Sequence, residues 1–194
     1  MDYGISQSFL KAEVSQLFRE KHKFSYGLQS TYYRISPGKR KPGEAESLVK
    51  PLSLEQEQAL ETALFFSDAY TLNPQWSIEA GIRYVLYNYL GARTVHTYAE
   101  GLPKSDETRT GTEIYRANKL IKTYHRPEFR LGVRYALSNH SSLKFGYNSL
   151  QQYIHMLSNT TAATPTDAWK LSDTHIKPQY GDQISLGYYQ NFPS

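Results

Sequence analysis

Apolar and polar residues alternate with a period of two through much of this chain, most plainly in 130–147, "RLGVRYALSNHSSLKFGY". Leu131, Val133, Tyr135 and Leu137 alternate with Arg130, Gly132, Arg134 and Ala136. After a polar break, Leu143, Phe145 and Tyr147 alternate with Lys144 and Gly146. A repeat of two is that of a strand, because a helix returns to the same face only every three or four residues. Ser138, Asn139, His140, Ser141 and Ser142 are turn formers with no apolar anchor among them, so the two runs fold back as an antiparallel hairpin. Each strand then carries one greasy and one polar face, and function turns on whether the greasy face meets another sheet or lipid.

The same reading places a first strand within 3–18, less regular because Glu13 and Gln16 interrupt it. A second strand, "HKFSYGLQSTYYRI", carries Phe24, Tyr26, Leu28 and Tyr32 on one face. "SPGKRKPG" breaks the chain, and a polar connection runs to about Gln58. "ALETALFFSDAYTL" resumes strand character, with Leu64, Phe65 and Phe66 leaving its parity open. "NPQ" at 73–75 is a tight turn, and "WSIEAGIRYVLYNYLG" puts Ile78, Ala80, Ile82, Tyr84 and Leu86 on one face against Glu79, Gly81 and Arg83. Residues 92–126 read as a loop with at most a short excursion of strand. Beyond Asn148 the apolar parity changes, since Leu150, Ile154 and Met156 leave the Leu143 face, and a bulge is expected there. A long loop, "SNTTAATPTDAWKLSDTHIKPQ", precedes a seventh strand with Ile184, Leu186 and Tyr188 on one face. Connections therefore alternate short, long, short, long, short, long. Outer-membrane barrels show that order, with short periplasmic turns, longer extracellular loops and strands of ~9–11 residues.

Composition bears on the choice in three ways. No apolar run among the 194 residues approaches the ~20 a membrane helix needs, but a barrel strand escapes that test because only alternate residues face lipid. Seventeen tyrosines suit both strands and the membrane–water boundary. The absence of cysteine excludes a disulfide framework and any thiolate chemistry. A soluble β-sandwich that binds carbohydrate through its loops satisfies the same alternation and remains the alternative; it requires a second sheet packed on the greasy face.

Candidate chemistry is sparse. His96, His125, His155 and His175 fall in or beside the expected outer loops without metal-ligand spacing, and no hydrolase or phosphate-loop motif occurs, so neither a metal, a cofactor nor a catalytic residue is expected. Lys39, Arg40 and Lys41 form a basic run suited to phosphate groups or, more plainly, to a solvated loop tip. The net charge of +4 is scattered and lacks the basic face of a nucleic-acid binder. Arg83, Arg130, Arg134 and Lys144 share the polar faces of their strands; in a barrel they point into the lumen, where pairing with Glu79 and Glu128, contact with a plug, or lining a solute path are open to them. Tyr153, His155 and Trp169, near the third outer loop, are candidate ligand contacts, with loop packing as the plainer reading.

In order, "ALFFSDAYTLNPQWSIEAGIRY", "RPEFRLGVRYALSNHSSLKFGYNSLQQYIHMLSN" and "TPTDAWKLSDTHIKPQYGDQISLGYYQNF" resemble consecutive strands of a TonB-dependent outer-membrane receptor of the kind abundant in Bacteroidetes. The resemblance covers about 59–192 and is weaker before it. It implies an all-β, antiparallel transmembrane β-barrel that has ~22 strands around a plugged lumen when complete. Residues 1–194 would supply about seven strands in up-and-down order, roughly a third of the wall, with no plug domain. The implied role is import of a scarce extracellular solute across the cell outer membrane, without bond chemistry. Partners would be outer-membrane lipid, the solute, and a plug and TonB reached through parts of the receptor outside this chain. Both ends read as cut. Leu131, Val133, Phe145, Ile82 and Leu186 would face lipid, and arginine at Val133 would cost ~2–4 kcal/mol were that site near midplane.

Overall fold

The computed structural model describes residues 4–36, 39–40, 52–53, 55–157 and 168–192. The strands in chain order are β1 (Gly4–Phe18), β2 (His22–Ser36), β3 (Lys39–Arg40), β4 (Leu52–Ser53), β5 (Glu57–Thr71), β6 (Trp76–Leu90), β7 (Arg93–Tyr98), β8 (Arg109–Tyr115), β9 (Leu120–Ala136), β10 (Ser141–Gln152), β11 (Ile154–Leu157), β12 (Ala168–Leu171) and β13 (Gln179–Gln190). Seven of them form one antiparallel sheet in the order β1-β2-β5-β6-β9-β10-β13, an up-and-down meander. The other six pair as three hairpins that extend the long connections: β3–β4, β7–β8 and β11–β12.

The ladders fix which residues share a face. His22, Tyr70, Ile78, Val133, Phe145 and Leu186 stand in one cross-strand row, and Tyr26, Phe66, Ile82 and Phe129 in another. This face is bare: Phe66, Ile82, Phe129 and Phe145 are 47, 43, 48 and 39 % exposed. A sandwich would cover it with a second sheet, and among the described residues none lies there. Trp76 and Tyr135, rings 4.5 Å apart, close the face at the end of the short turns, the aromatic boundary expected of a membrane-facing surface.

The opposite face holds the buried residues, and they gather at the end of the long connections. Ile35, Ala59, Val85, Tyr87, Tyr89 and Leu171 are at most 1 % exposed. They are buried because the β11–β12 hairpin packs over the inner surface of β2, β5 and β6; Trp169 of β12 and Tyr33 of β2 flank this cluster. Small inward residues make room for it. Phe65 also points inward, its ring tip against Gly27, while Leu64 and Phe66 point outward, which settles the parity of that triplet.

The structure departs from the sequence reading in three places. Residues 92–126 contain the β7–β8 hairpin, a 3-10 turn at Asp106–Thr108 and the first seven residues of β9, rather than a loop. A register shift at Tyr89/Leu90 leaves Ile121 out of the β6–β9 pairing and against the inner cluster. The parity change after Asn148 arises from a parted seam, not a bulge: β9–β10 pairing stops at Arg130↔Asn148, while β10–β13 pairing continues unshifted to Gln152↔Gln179. Into the gap the Glu128 carboxylate accepts the Gln151 N–H at 2.9 Å, and Ser149 Oγ accepts the Phe129 N–H at 2.8 Å. The long connection after β11 is likewise not all loop, since β12 lies in it. Of the basic run, Lys39 and Arg40 pair with Ser53 and Leu52; Lys41 and the 158–167 stretch lie outside the described residues.

Candidate functional site

The inner face divides into a paired outer half and an unpaired half near the short turns. In the middle, Arg83 of β6 reaches Glu61 of β5 through Nη2 at 2.7 Å and Glu128 of β9 through Nη1 at 2.8 Å. Tyr33 Oη donates to the second Glu61 oxygen at 2.8 Å. Of the two expected partners for Arg83, Glu128 is engaged and Glu79 is not. Glu79 lies four residues away on the same strand, some ~13 Å along it, whereas Glu61 comes from the neighbouring one.

Nearer the long connections, Glu57 at the start of β5 holds the outer elements together. It is 3 % exposed, and its carboxylate accepts Lys170 Nζ at 2.8 Å and the Leu171 N–H at 2.7 Å, with Arg93 Nη1 at 3.2 Å. Glu55 accepts both the Thr94 N–H and the Thr94 hydroxyl. Two carboxylates at one strand entrance thus grip β7 and β12, which belong to different connections. The turn after β12 is fixed in the same way. Tyr87 Oη donates to Ser172 O at 2.9 Å and Tyr124 Oη to Asp173 O at 2.6 Å. The Asp173 carboxylate accepts the His175 and Ile176 N–H groups, both at 2.7 Å, and binds Lys170 through its other oxygen. An aspartate bonding the backbone two and three residues ahead is a local turn former, so "SDTH" was a readable signal for this turn.

Tyr153 and His155 belong to this assembly and are each 4 % exposed. Tyr153 stacks on Tyr87 with ring centroids 4.4 Å apart and planes 4° from parallel, and donates to Gln151 Oε1. His155 Nε2 lies 2.8 Å from Ser172 Oγ. Trp169, half-buried, packs beside the same cluster. A more open group bridges two connections and joins two of the loop histidines noted in the sequence to Tyr98, which was not: Tyr98 of β7 lies 5.8 Å from His175 and 6.5 Å from His96, and His96 Nδ1 lies 3.0 Å from Thr112 Oγ1.

Towards the short turns the inner cations lack acids. Arg134 faces Lys144 directly across the β9–β10 ladder. Arg130 Nε donates to Asn148 Oδ1 at 3.2 Å, and Lys144 sits 4.2 Å from the centre of the Tyr189 ring. Among the described residues none of these three cations, nor Glu79, forms an ion pair.

Asp173 and His155, in the outer mouth, both have lowered proton affinities. Burial pushes the Asp173 carboxyl up, but the Lys170 ammonium and two backbone N–H groups outweigh it and hold it below the usual carboxylate value. Burial lowers His155 below the ordinary imidazole value against the opposing pull of Asp173. Both depressed values mean that the unfolded segment binds protons first, so both contributions are present at neutral pH and lost as pH falls. The His155 part is lost below about 6.5 and the Asp173 part below about 4. Amide protection over 154–157 and 168–176, taken relative to intrinsic exchange at each pH, is therefore expected to fall in two steps on acidification; flat protection from about pH 7.5 to about 5 would contradict the first.

Stacked rings, ion pairs and backbone bonds position a wall and a mouth. Among the described residues no group of three or more His, Asp or Glu side chains is placed to hold a metal ion. A family model described as "TonB dependent receptor-like, beta-barrel" matches residues 2–193. No curated protein and no solved structure matches the chain. A meander with a bare apolar face, a polar inner face and long connections at one end is what that family requires of a wall. The chain therefore belongs to the TonB-dependent receptor-like β-barrel family, a family of outer-membrane receptors and transporters rather than an enzyme class.

Proposed function

We propose that this chain forms a wall section of a TonB-dependent transporter that binds a scarce extracellular solute and imports it into the periplasm. The observation that supports this reading is the division of labour between faces. Apolar side chains stay bare on one face, while on the other the outer half is cross-linked by ion pairs and packed by a hairpin. Import is conformational: solute is captured at the mouth and a plug in the lumen rearranges when TonB acts on it. The unpaired Arg130, Arg134 and Lys144 suit contact with such a plug. Strands β1 and β13 are the sheet edges, and in lipid each unpaired backbone group costs several kcal/mol, so further strands of the assembled barrel flank both.

Solute contacts fall to Trp169 together with Tyr98, His96 and His175, whose rings offer flat faces and hydrogen-bonding edges. Tyr153 and His155 hold that surface from beneath. The test is a comparison of solute uptake by cells with and without the full-length receptor, in strains with and without TonB. Uptake of a scarce solute is expected only when both are present, and Trp169→Ala with Tyr98→Ala should raise its half-saturation roughly tenfold, equivalent to about 1.4 kcal/mol. Uptake that persists without TonB would reject the transport reading.

A further inference from the structure

Charged side chains on the lipid-facing surface of a barrel are costly, yet this surface carries an acid and an imidazole side by side. Asp68 of β5 stands in the outward row of Phe24, Ala80 and Leu131, and His22 in the row of Tyr70, Ile78 and Val133. His22 Nδ1 lies 2.7 Å from Asp68 Oδ2. Because a carboxylate brings no proton, Nδ1 carries the hydrogen, and Nε2, at the opposite edge of the ring, is left without a hydrogen bond among the described residues. The ring is held flat, 4.2 Å from Tyr70 with planes 9° apart and 5.6 Å from Phe24 with planes 16° apart.

A cation stands next to it. Phe18 pairs with His22 across the β1–β2 ladder, and the Arg19 guanidinium lies 5.1 Å from the centre of the Phe18 ring, against the outward surface. Arg19 and Lys21 are exposed and form no ion pair among the described residues. Arg19 and Glu20 have φ of 49° and 56°, the left-handed region in which a two-residue hairpin turn favours Asn–Gly. Arginine stands here at a backbone position that disfavours it. The Lys21 carbonyl accepts the Thr71 N–H at 2.8 Å, tying this turn to the strand that carries Asp68.

We propose that this patch binds the phosphate of a membrane phospholipid at the periplasmic boundary of the bilayer. Arg19 and Lys21 supply the donors to the phosphate, His22 Nε2 accepts an O–H or N–H of the headgroup while Asp68 holds the ring through Nδ1–H, and Phe18, Phe24 and Tyr70 pack against the glycerol and upper acyl chains. Arginine and lysine over an aromatic surface at the membrane–water boundary match an anionic headgroup above an apolar tail. A free phosphate ion would satisfy the donors but not the rings. The site faces away from the lumen, so it is independent of which solute is carried.

The experiment is native mass spectrometry of the delipidated full-length receptor with added dioleoyl phosphatidylglycerol, dioleoylglycerol or inorganic phosphate. The phospholipid is expected to bind the parent and dioleoylglycerol is not. The double variant Arg19→Gln/His22→Gln should lower the bound fraction roughly tenfold, while Arg116→Gln, at the far end of the wall, leaves it unchanged. Equal binding of dioleoylglycerol, equal binding by the double variant, or binding of inorganic phosphate undisturbed by lipid would each overturn the proposal. Should the double variant fail to assemble, Arg19→Gln alone, at an exposed turn position, gives the same comparison.

Discussion

Ile82→Arg is expected to destabilise the assembled receptor by about 2–4 kcal/mol, the cost of a cation on the lipid-facing side of a barrel near midplane. Ile82 lies on the outward face between Phe66 and Phe129, six residues along β6 from Trp76, whose ring marks the boundary at the short turns. The effect is strongly graded with depth. Val133 belongs to the same face but stands only two residues from Tyr135, which pairs with Trp76, so Val133→Arg should cost about 0–1 kcal/mol. The larger cost read from sequence for Val133→Arg was conditional on a midplane position, and the pairing of Tyr135 with Trp76 puts Val133 near the boundary instead. Urea titration of the purified receptor in lipid vesicles measures both, and equal stabilities for the two variants would remove the assignment of this face to lipid.

A second large effect is expected at Glu57. Glu57→Ala leaves the Leu171 N–H without its acceptor and Lys170 and Arg93 without a shared anion, in a site where the carboxylate is nearly enclosed. Removing one member of a buried ion pair typically costs about 3–5 kcal/mol. Here the loss is local, because the main ladders do not depend on it. Amide exchange should quicken together over 93–98 and 168–176, two segments far apart in sequence that meet at this one carboxylate. Glu57→Gln keeps an acceptor for the Leu171 N–H and should fall between parent and alanine. If 168–176 loosens while 93–98 keeps its protection, the two connections are not held by Glu57.

The wall was largely legible because its cause is local. A strand that faces lipid on one side writes that requirement at every second position, and Ile78–Ile82–Leu86, Leu131–Val133 and Leu143–Phe145 all occupy the face their spacing predicts. The mouth was not legible for the opposite reason. Its strands are short and held by partners remote in sequence; the Lys170–Glu57 contact spans 113 positions. Alternation carries no record of such a pairing. Phe65 was ambiguous because an inward aromatic over Gly27 interrupts an otherwise outward run. Tyr153 and His155 were singled out by residue type, and the structure gives them neighbours: a tyrosine ring and a serine hydroxyl within the hairpin's own packing.

The unequal lengths of the ladders have a mechanical consequence. Fifteen residue pairs join β6 to β9, whereas four join β11 to β12. A load directed along the long strands is shared by many hydrogen bonds in shear, so they resist together. The short hairpin, pulled from its end, parts one pair at a time. Tension applied to the connections at the mouth would therefore peel the short hairpin before it distorted the long ladders.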